Sequence, residues 1–177
     1  MNRIEVETKL NDGRNWLLTC FRGLSDEQLR HPLTPSEHDP DNKWSALDHF
    51  AHLALIEDNF VSITRRHIAG HTNPVAMLSS ASGAPRTREE IMATVHEMTE
   101  KFQIQHHHDT FDEVVALTAK ARSGTLALLS ELSDAQIAER IPGAPWSDGT
   151  VGGVLGVNAD HGRSHWGWLI DAGVLTI

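Results

Sequence analysis

The sequence predicts an all-α protein, a four-helix bundle in up-down order with one long crossover and one extra inserted helix. Apolar residues recur at intervals of three, four and seven over long stretches. Capping-box patterns precede several of these stretches, and no segment shows the alternation typical of strands. The chain has 177 residues, 40% of them hydrophobic and 22% charged. This size and composition suit one globular domain over residues 1–177.

The first half of the chain contains two long predicted helices. The first covers about residues 4–23, and a capping box at 25–28 starts a short helical turn after it. Residues 31–43 are rich in proline and small polar residues, which predicts a loop. Ser45 is a natural N-cap for the second long helix, which ends before Gly70.

The second half begins with a long crossover loop and the inserted segment. The loop covers residues 71–86, and the insertion covers about 87–108. A capping box at Thr87 starts the inserted helix, and another at Thr110 starts a helix that ends near residue 132. The last predicted helix covers about 150–171.

Two short segments echo each other, residues 24–29 and 132–137. Each follows a helix and precedes a loop and a Trp-Ser pair, at 44–45 in one copy and at 146–147 in the other. Each pair introduces a helix that contains histidine. This pattern indicates a duplicated helix–loop–helix unit, and two antiparallel pairs of helices make a four-helix bundle.

Charge and composition argue against several classes of partner. Lys and Arg number 15 and Asp and Glu number 24, so the net charge is −9, and no basic cluster suggests nucleic-acid binding. No apolar run approaches the roughly 18 residues of a membrane span, and the N-terminus has no signal-peptide core. The single cysteine, Cys20, suits a reducing compartment. We therefore expect a cytoplasmic protein with a small-molecule substrate and neither a nucleic-acid nor a membrane partner.

The 12 histidines are the most unusual part of the composition. His161 and His165 are spaced i, i+4 on the last predicted helix, so both imidazoles lie on one face. A divalent metal can bind such a pair at about 2.1 Å per nitrogen, with a third ligand from another helix. His52 is the natural donor, because its helix has the equivalent place in the other half of the repeat, and His49 is the competitor. The alternative is that the pair only forms hydrogen bonds at a helix interface.

Three segments contain motifs in a recognisable order. Residues 44–53 contain a Trp-Ser pair followed by His-Leu, residues 111–133 form a long helical stretch, and residues 146–169 contain a His-x₃-His motif. Together they resemble the DinB-like (damage-inducible B) superfamily, which includes the N-terminal domains of mycothiol-dependent maleylpyruvate isomerases. The resemblance covers most of the chain.

The resemblance implies a four-helix bundle that holds one metal ion through His52, His161 and His165. His52 is preferred over His49 because it stands eight residues after the tryptophan and precedes a leucine. Zinc or nickel is typical of such sites. The insertion at 87–108 is longer than in the simplest members, and it is predicted to form a lid or a dimer surface.

Three neutral imidazoles leave a metal its full charge and an open position. A water there can act as a nucleophile, or a thiol can bind and ionise, and the ligands do not choose between these chemistries. Because the resembling family contains low-molecular-weight-thiol enzymes, thiol transfer to a small electrophile is favoured over hydrolysis of a small substrate. The alternative is a non-catalytic metal-binding or stress-response module, for which His49 as a fourth ligand would be the indication.

Several other residues are candidates for roles near the metal. Asp48, Glu57 and Asp160 are candidate catalytic residues, either orienting an imidazole or acting as general base, and the alternative is that they are solvated helix carboxylates. Asn158 is predicted to line the pocket, and the histidines at 106–108 are expected to form a solvated hinge. We also expect a homodimer.

Overall fold

Long helices dominate the computed structural model, which describes residues 1–36, 38–80 and 82–177. Glu37 and Ala81, in the two predicted loops, lie outside the described residues. The helices are, in chain order, α1 (Arg3–Arg22), α2 (Asp26–Arg30), α3 (Ala46–Ile68), α4 (Arg88–His106), α5 (Phe111–Glu131), α6 (Asp134–Ala138) and α7 (Val151–Asp171). Single turns of 3₁₀ helix lie at Ala76–Leu78 and Val174–Thr176. The prediction of an all-α fold is confirmed.

Capping boxes begin most of these helices. In each box the N-cap side chain accepts a hydrogen bond from the backbone N–H three residues later, whose side chain accepts one in return. The boxes predicted at Ser25, Thr87 and Thr110 are present. Ser45 begins α3 in the same way, with Asp48 as the returning acceptor. This box sets the start of the helix that contains two of the candidate histidines.

The bundle consists of α1, α3, α5 and α7. Its interior contains two apolar clusters, one around Leu10 and Ile63 and the other around Phe21 and Phe50, whose rings stack with centroids 4.5 Å apart. Helix α3 packs against both α5 and α7, and α7 also packs against α1. The interface between α3 and α7 is therefore where side chains from the two halves of the predicted repeat meet.

A β-hairpin with strands of two residues each lies within the segment predicted as a loop. Its strands are β1 (Thr34–Pro35) and β2 (Lys43–Trp44), which pair antiparallel with Thr34 opposite Trp44. Strands of this length contain too few residues to show alternation, so the sequence does not predict them. The hairpin places β1 next to the first turn of α3.

The inserted helix α4 is joined to α3 and to the hairpin by buried polar side chains. Glu100 accepts hydrogen bonds from the Ser36 hydroxyl (2.5 Å) and from the Asn42 amide (2.6 Å). The Gln103 amide donates to Asp48 at 3.0 Å. Helix α4 is thus attached along its C-terminal half. Its roles as a lid or a dimer surface stay predictions.

Within the described part of the chain, none of the helices has the length and apolar character needed to cross a lipid bilayer. The cytoplasmic location stays a prediction.

Candidate metal centre

Three histidines from two helices converge at the interface between α3 and α7. His52 projects from α3, and His161 and His165 project from α7, so that one ring nitrogen from each lies within 4.8 Å of the others. The Nε2 atom of His161 is 3.4 Å from that of His52 and 3.1 Å from that of His165. In the described residues this is the one group of three or more His, Cys, Asp or Glu side chains close enough to hold a metal ion.

These separations fit nitrogen atoms that share one cation. Two nitrogens bound at about 2.1 Å lie about 3.4 Å apart at a tetrahedral angle and about 3.0 Å apart at a right angle. Pairwise hydrogen bonding would account for each contact separately, because a neutral imidazole has a single N–H. Pairwise hydrogen bonding does not explain why the Nε2 atoms of His52 and His165 both face the Nε2 atom of His161. The three-histidine group can therefore hold a metal ion.

The histidines of this region are held in their neutral form. Burial, with the nearby His161 and His49, lowers the pKa of His52 to about 3. Burial also lowers the pKa of His161, and it holds that of His165 well below its usual value. Because a metal binds the neutral imidazole, a site with these pKa values needs no deprotonation near neutral pH before it binds a cation.

His49 lies behind the group. Its Nδ1 atom is 2.7 Å from Nδ1 of His165, and its Nε2 atom is 2.6 Å from the hydroxyl oxygen of Thr34. Burial lowers the pKa of His49 to about 4, although the Asp48 carboxylate opposes the shift. Of the two histidines considered from sequence, the structure brings His52 into the three-histidine group and places His49 against one of its members.

The three candidate carboxylates have partners elsewhere among the described residues. Asp48 caps α3 and contacts Gln103 and Nδ1 of His107, the latter at 3.1 Å. Glu57 forms a buried ion pair with Arg122, and the exposed Asp160 pairs with Lys9 at 2.6 Å. A catalytic role for Asp48, Glu57 or Asp160 stays a prediction.

Glu57 belongs to a buried polar network between α3, α5 and α7. Its carboxylate accepts from Arg122 at 2.5 Å and from the Asn158 amide at 2.8 Å. Arg122 also donates to the backbone carbonyl of Leu10. Asn158, predicted to line the pocket, is 4% exposed and also lies within hydrogen-bond distance of the Leu53 carbonyl, at 3.4 Å. The structure therefore gives Asn158 and Glu57 partners inside the bundle.

Two tryptophans lie against the histidines. The buried Trp44 ring is 5.5 Å from that of His52, and the Trp168 ring is 4.6 Å from that of His165. Trp168 is 51% exposed, so it stands at the edge of the group. Trp44 and Thr34 were not among the candidates from sequence. Trp44 stands out in the sequence through the repeated Trp-Ser pair and its place eight residues before His52, and no local signal marks Thr34.

The histidine run at 106–108 is not uniformly solvated. His106 contacts the Asp109 carboxylate at 2.7 Å, and His107 contacts Asp48 across to α3. Both therefore have partners at the junction between α4 and α5, but only His106 is partly buried, and His107 and His108 are exposed.

Comparison with protein-family models shows the family of this chain. The family model described as the DinB superfamily matches residues 9–169, which include all three histidines of the group. No match was found among curated proteins or among solved structures. The closer relation to mycothiol-dependent isomerases stays a prediction.

Proposed function

The chain belongs to the DinB superfamily, and we propose that it is a metal-dependent enzyme whose divalent cation is held by His52, His161 and His165. The observation that supports the proposal most is the convergence of three neutral imidazoles from α3 and α7. Imidazole ligands suit zinc or nickel. When bound, such a cation lowers the pKa of a thiol or a water molecule at its open position.

We propose that the reaction is transfer of a low-molecular-weight thiol to a small electrophile. The thiol loses its proton to solvent, a sulfur–carbon bond forms, and the leaving group departs with its electron pair. Hydrolysis of an ester or amide needs in addition a group that delivers a proton to the leaving atom. The candidate carboxylates Asp48, Glu57 and Asp160 all have other partners in the described residues. This supports thiol transfer, which has less need of a side chain that donates a proton.

The surroundings of the three histidines support a small, partly apolar substrate. Trp44 is 8% exposed and covers His52, which keeps water away from that ligand. Trp168 offers an exposed aromatic surface beside His165 that an apolar electrophile can contact. These two side chains would orient the substrate and limit its size, while the imidazoles would hold the cation.

Turnover assays test the proposal. The full chain, loaded with zinc or nickel, is mixed with a panel of small electrophiles and with glutathione, mycothiol or bacillithiol. We expect turnover that requires both the metal and one of the thiols, that is lost in His165→Ala, and that persists in the exposed control His108→Ala.

Two other results would contradict thiol transfer. Metal-dependent turnover without any thiol would favour hydrolysis. Stoichiometric metal binding without turnover on any substrate would favour a non-catalytic metal-binding or stress-response module. His49 as a fourth ligand would favour that module, and among the described residues the group contains three histidines, with His49 in contact with His165.

A further inference from the structure

A series of side-chain contacts runs from Thr34 through His49 to His165 and links the β1–β2 hairpin to the three-histidine group. We propose that His49 is a positioning residue that holds His165 in the one tautomer able to bind a metal ion. This inference rests on the proposed metal site. Two contacts support it. The Nδ1 atoms of His49 and His165 lie 2.7 Å apart, and His49 Nε2 lies 2.6 Å from the Thr34 hydroxyl oxygen.

Only two arrangements of hydrogens allow both contacts to be hydrogen bonds when both rings are neutral, because each ring then has one N–H. In the first, His165 Nδ1–H donates to His49 Nδ1, and His49 Nε2–H donates to the oxygen of Thr34. In the second, the Thr34 hydroxyl donates to His49 Nε2, and His49 Nδ1–H donates to His165 Nδ1. His165 then has its hydrogen on Nε2.

Metal binding selects the first arrangement. The Nε2 atom of His165 faces Nε2 of His161 at 3.1 Å, so it is the atom that belongs to the ligand group. A metal needs its lone pair, and the hydrogen of His165 must therefore lie on Nδ1. His49 is the acceptor that this hydrogen requires.

The position of His49 is well defined by its surroundings. It is 5% exposed, and its ring packs edge-on against Trp44, with centroids 5.4 Å apart. The pairing of Thr34 with Trp44 in the hairpin sets the place of the Thr34 hydroxyl. A buried polar atom without a hydrogen-bond partner destabilises the fold, so breaking either contact of His49 is costly.

His52 lacks an equivalent support among the described residues. The Nδ1 atom of His52 is buried there without a hydrogen-bond partner. Metal-binding histidines commonly donate their second N–H to a carboxylate, which adds negative charge. A neutral imidazole in that place orients His165 without reducing the charge of the cation.

Isosteric variants test the inference by competition with a chelator for zinc. The His49→Asn side chain keeps an acceptor where Nδ1 lies, whereas His49→Gln places its amide near the Nε2 position and His49→Leu has no polar atom. We expect His49→Gln and His49→Leu to bind zinc about 10- to 100-fold more weakly than the wild type. We expect the zinc affinity of His49→Asn to stay within about threefold of the wild type, because this variant keeps the acceptor for His165.

A second readout reports the tautomers directly. In the zinc-loaded wild type, ¹⁵N NMR should show His165 with its hydrogen on Nδ1 and His49 with its hydrogen on Nε2. A hydrogen on Nδ1 of His49 would overturn the inference. So would equal zinc affinity in His49→Leu, or an equal loss in all three variants, which would indicate a packing role. Circular dichroism confirms that each variant is folded.

The two proposals fail differently. A wild type that binds no zinc overturns the proposed function and this inference with it. A wild type that binds zinc through the three histidines, with no effect of His49→Leu, overturns this inference alone.

Discussion

The Nε2 atoms of His52 and His161 lie 3.4 Å apart, although 109 residues separate the two histidines in the chain. This contact exists because α3 and α7 pack directly against each other. His52 and His161 come from the two halves of the predicted repeat, so the candidate site depends on the association of those halves. Metal binding should therefore stabilise the whole bundle, since it ties two of its helices together.

Proton release on metal binding should be small. At pH 6 a histidine with the ordinary pKa of about 6.5 is roughly three-quarters protonated, so three such ligands would release about two protons. Burial holds the pKa of His52 at about 3 and lowers those of His161 and His165, so the folded ligands carry fewer protons than solvated histidines do. We expect less than about one proton per metal. Titration calorimetry in buffers of different ionisation enthalpy measures this number, and a value near two would show ordinary, solvated ligands.

The stability of the metal-free protein should fall as the pH falls below about 6.5. The unfolded chain then takes up protons at His52, while the folded chain does so only near the lowered pKa of about 3. The contribution is complete above pH 6.5 and is lost progressively toward pH 3. Between pH 7 and pH 5 the wild type should lose about 2 kcal/mol more unfolding free energy than His52→Asn. Equal losses in urea denaturation would contradict the lowered pKa.

The ion pair between Glu57 and Arg122 should be costly to break from one side. Both side chains are buried, and removal of one partner leaves an uncompensated charge. We expect Glu57→Ala to reduce the free energy of unfolding by about 3–5 kcal/mol. The double variant Glu57→Leu with Arg122→Met should lose less than Glu57→Ala, because no buried charge is left alone.

An exposed pair provides the matched control. Arg65 and Glu131 pair at 3.2 Å with more than half of each side chain exposed. We expect Glu131→Ala to change stability by less than about 1 kcal/mol. If Glu57→Ala and Glu131→Ala cost the same in denaturant titrations, the buried network has no special role.

Alanine should have opposite effects at two helical glycines. A Cβ on Gly13 of α1 would lie 2.9 Å from the Cβ and 3.2 Å from the Cα of Ala159, so the backbones of α1 and α7 would have to separate. We expect Gly13→Ala to destabilise the fold by about 1–3 kcal/mol. A Cβ on Gly124 of α5 meets nothing within 4 Å, and Gly124→Ala should stabilise by about 0.5–1 kcal/mol. Thermal unfolding of the two variants checks the signs, and a stabilising Gly13→Ala would contradict the close packing.

Local patterns in the sequence were enough to predict the helices and part of the site. Capping boxes depend on residues three apart, and the shared face of His161 and His165 depends on residues four apart, so both are visible without a structure. The choice of His52 required the repeat and the family resemblance, because its partners are distant in the chain. The structure brings these three histidines together.

The remainder of the site depends on contacts that leave no local pattern. Thr34 lies in a loop-like segment, and only the pairing of two short strands brings its hydroxyl to His49. The partner of Glu57 is 65 residues away on α5, so the sequence shows a carboxylate but not the arginine that pairs with it. The link between Asp48 and His107 likewise depends on how α4 docks.

The most direct test of the three-histidine metal site is the metal content of untagged protein purified without nickel resin, measured by plasma mass spectrometry. We expect about one metal ion per chain in the wild type and in the exposed control His108→Ala, and loss of the metal in His52→Ala and in His165→Ala. Absence of metal after anaerobic reconstitution of the wild type, or loss of metal in the control alone, would contradict it.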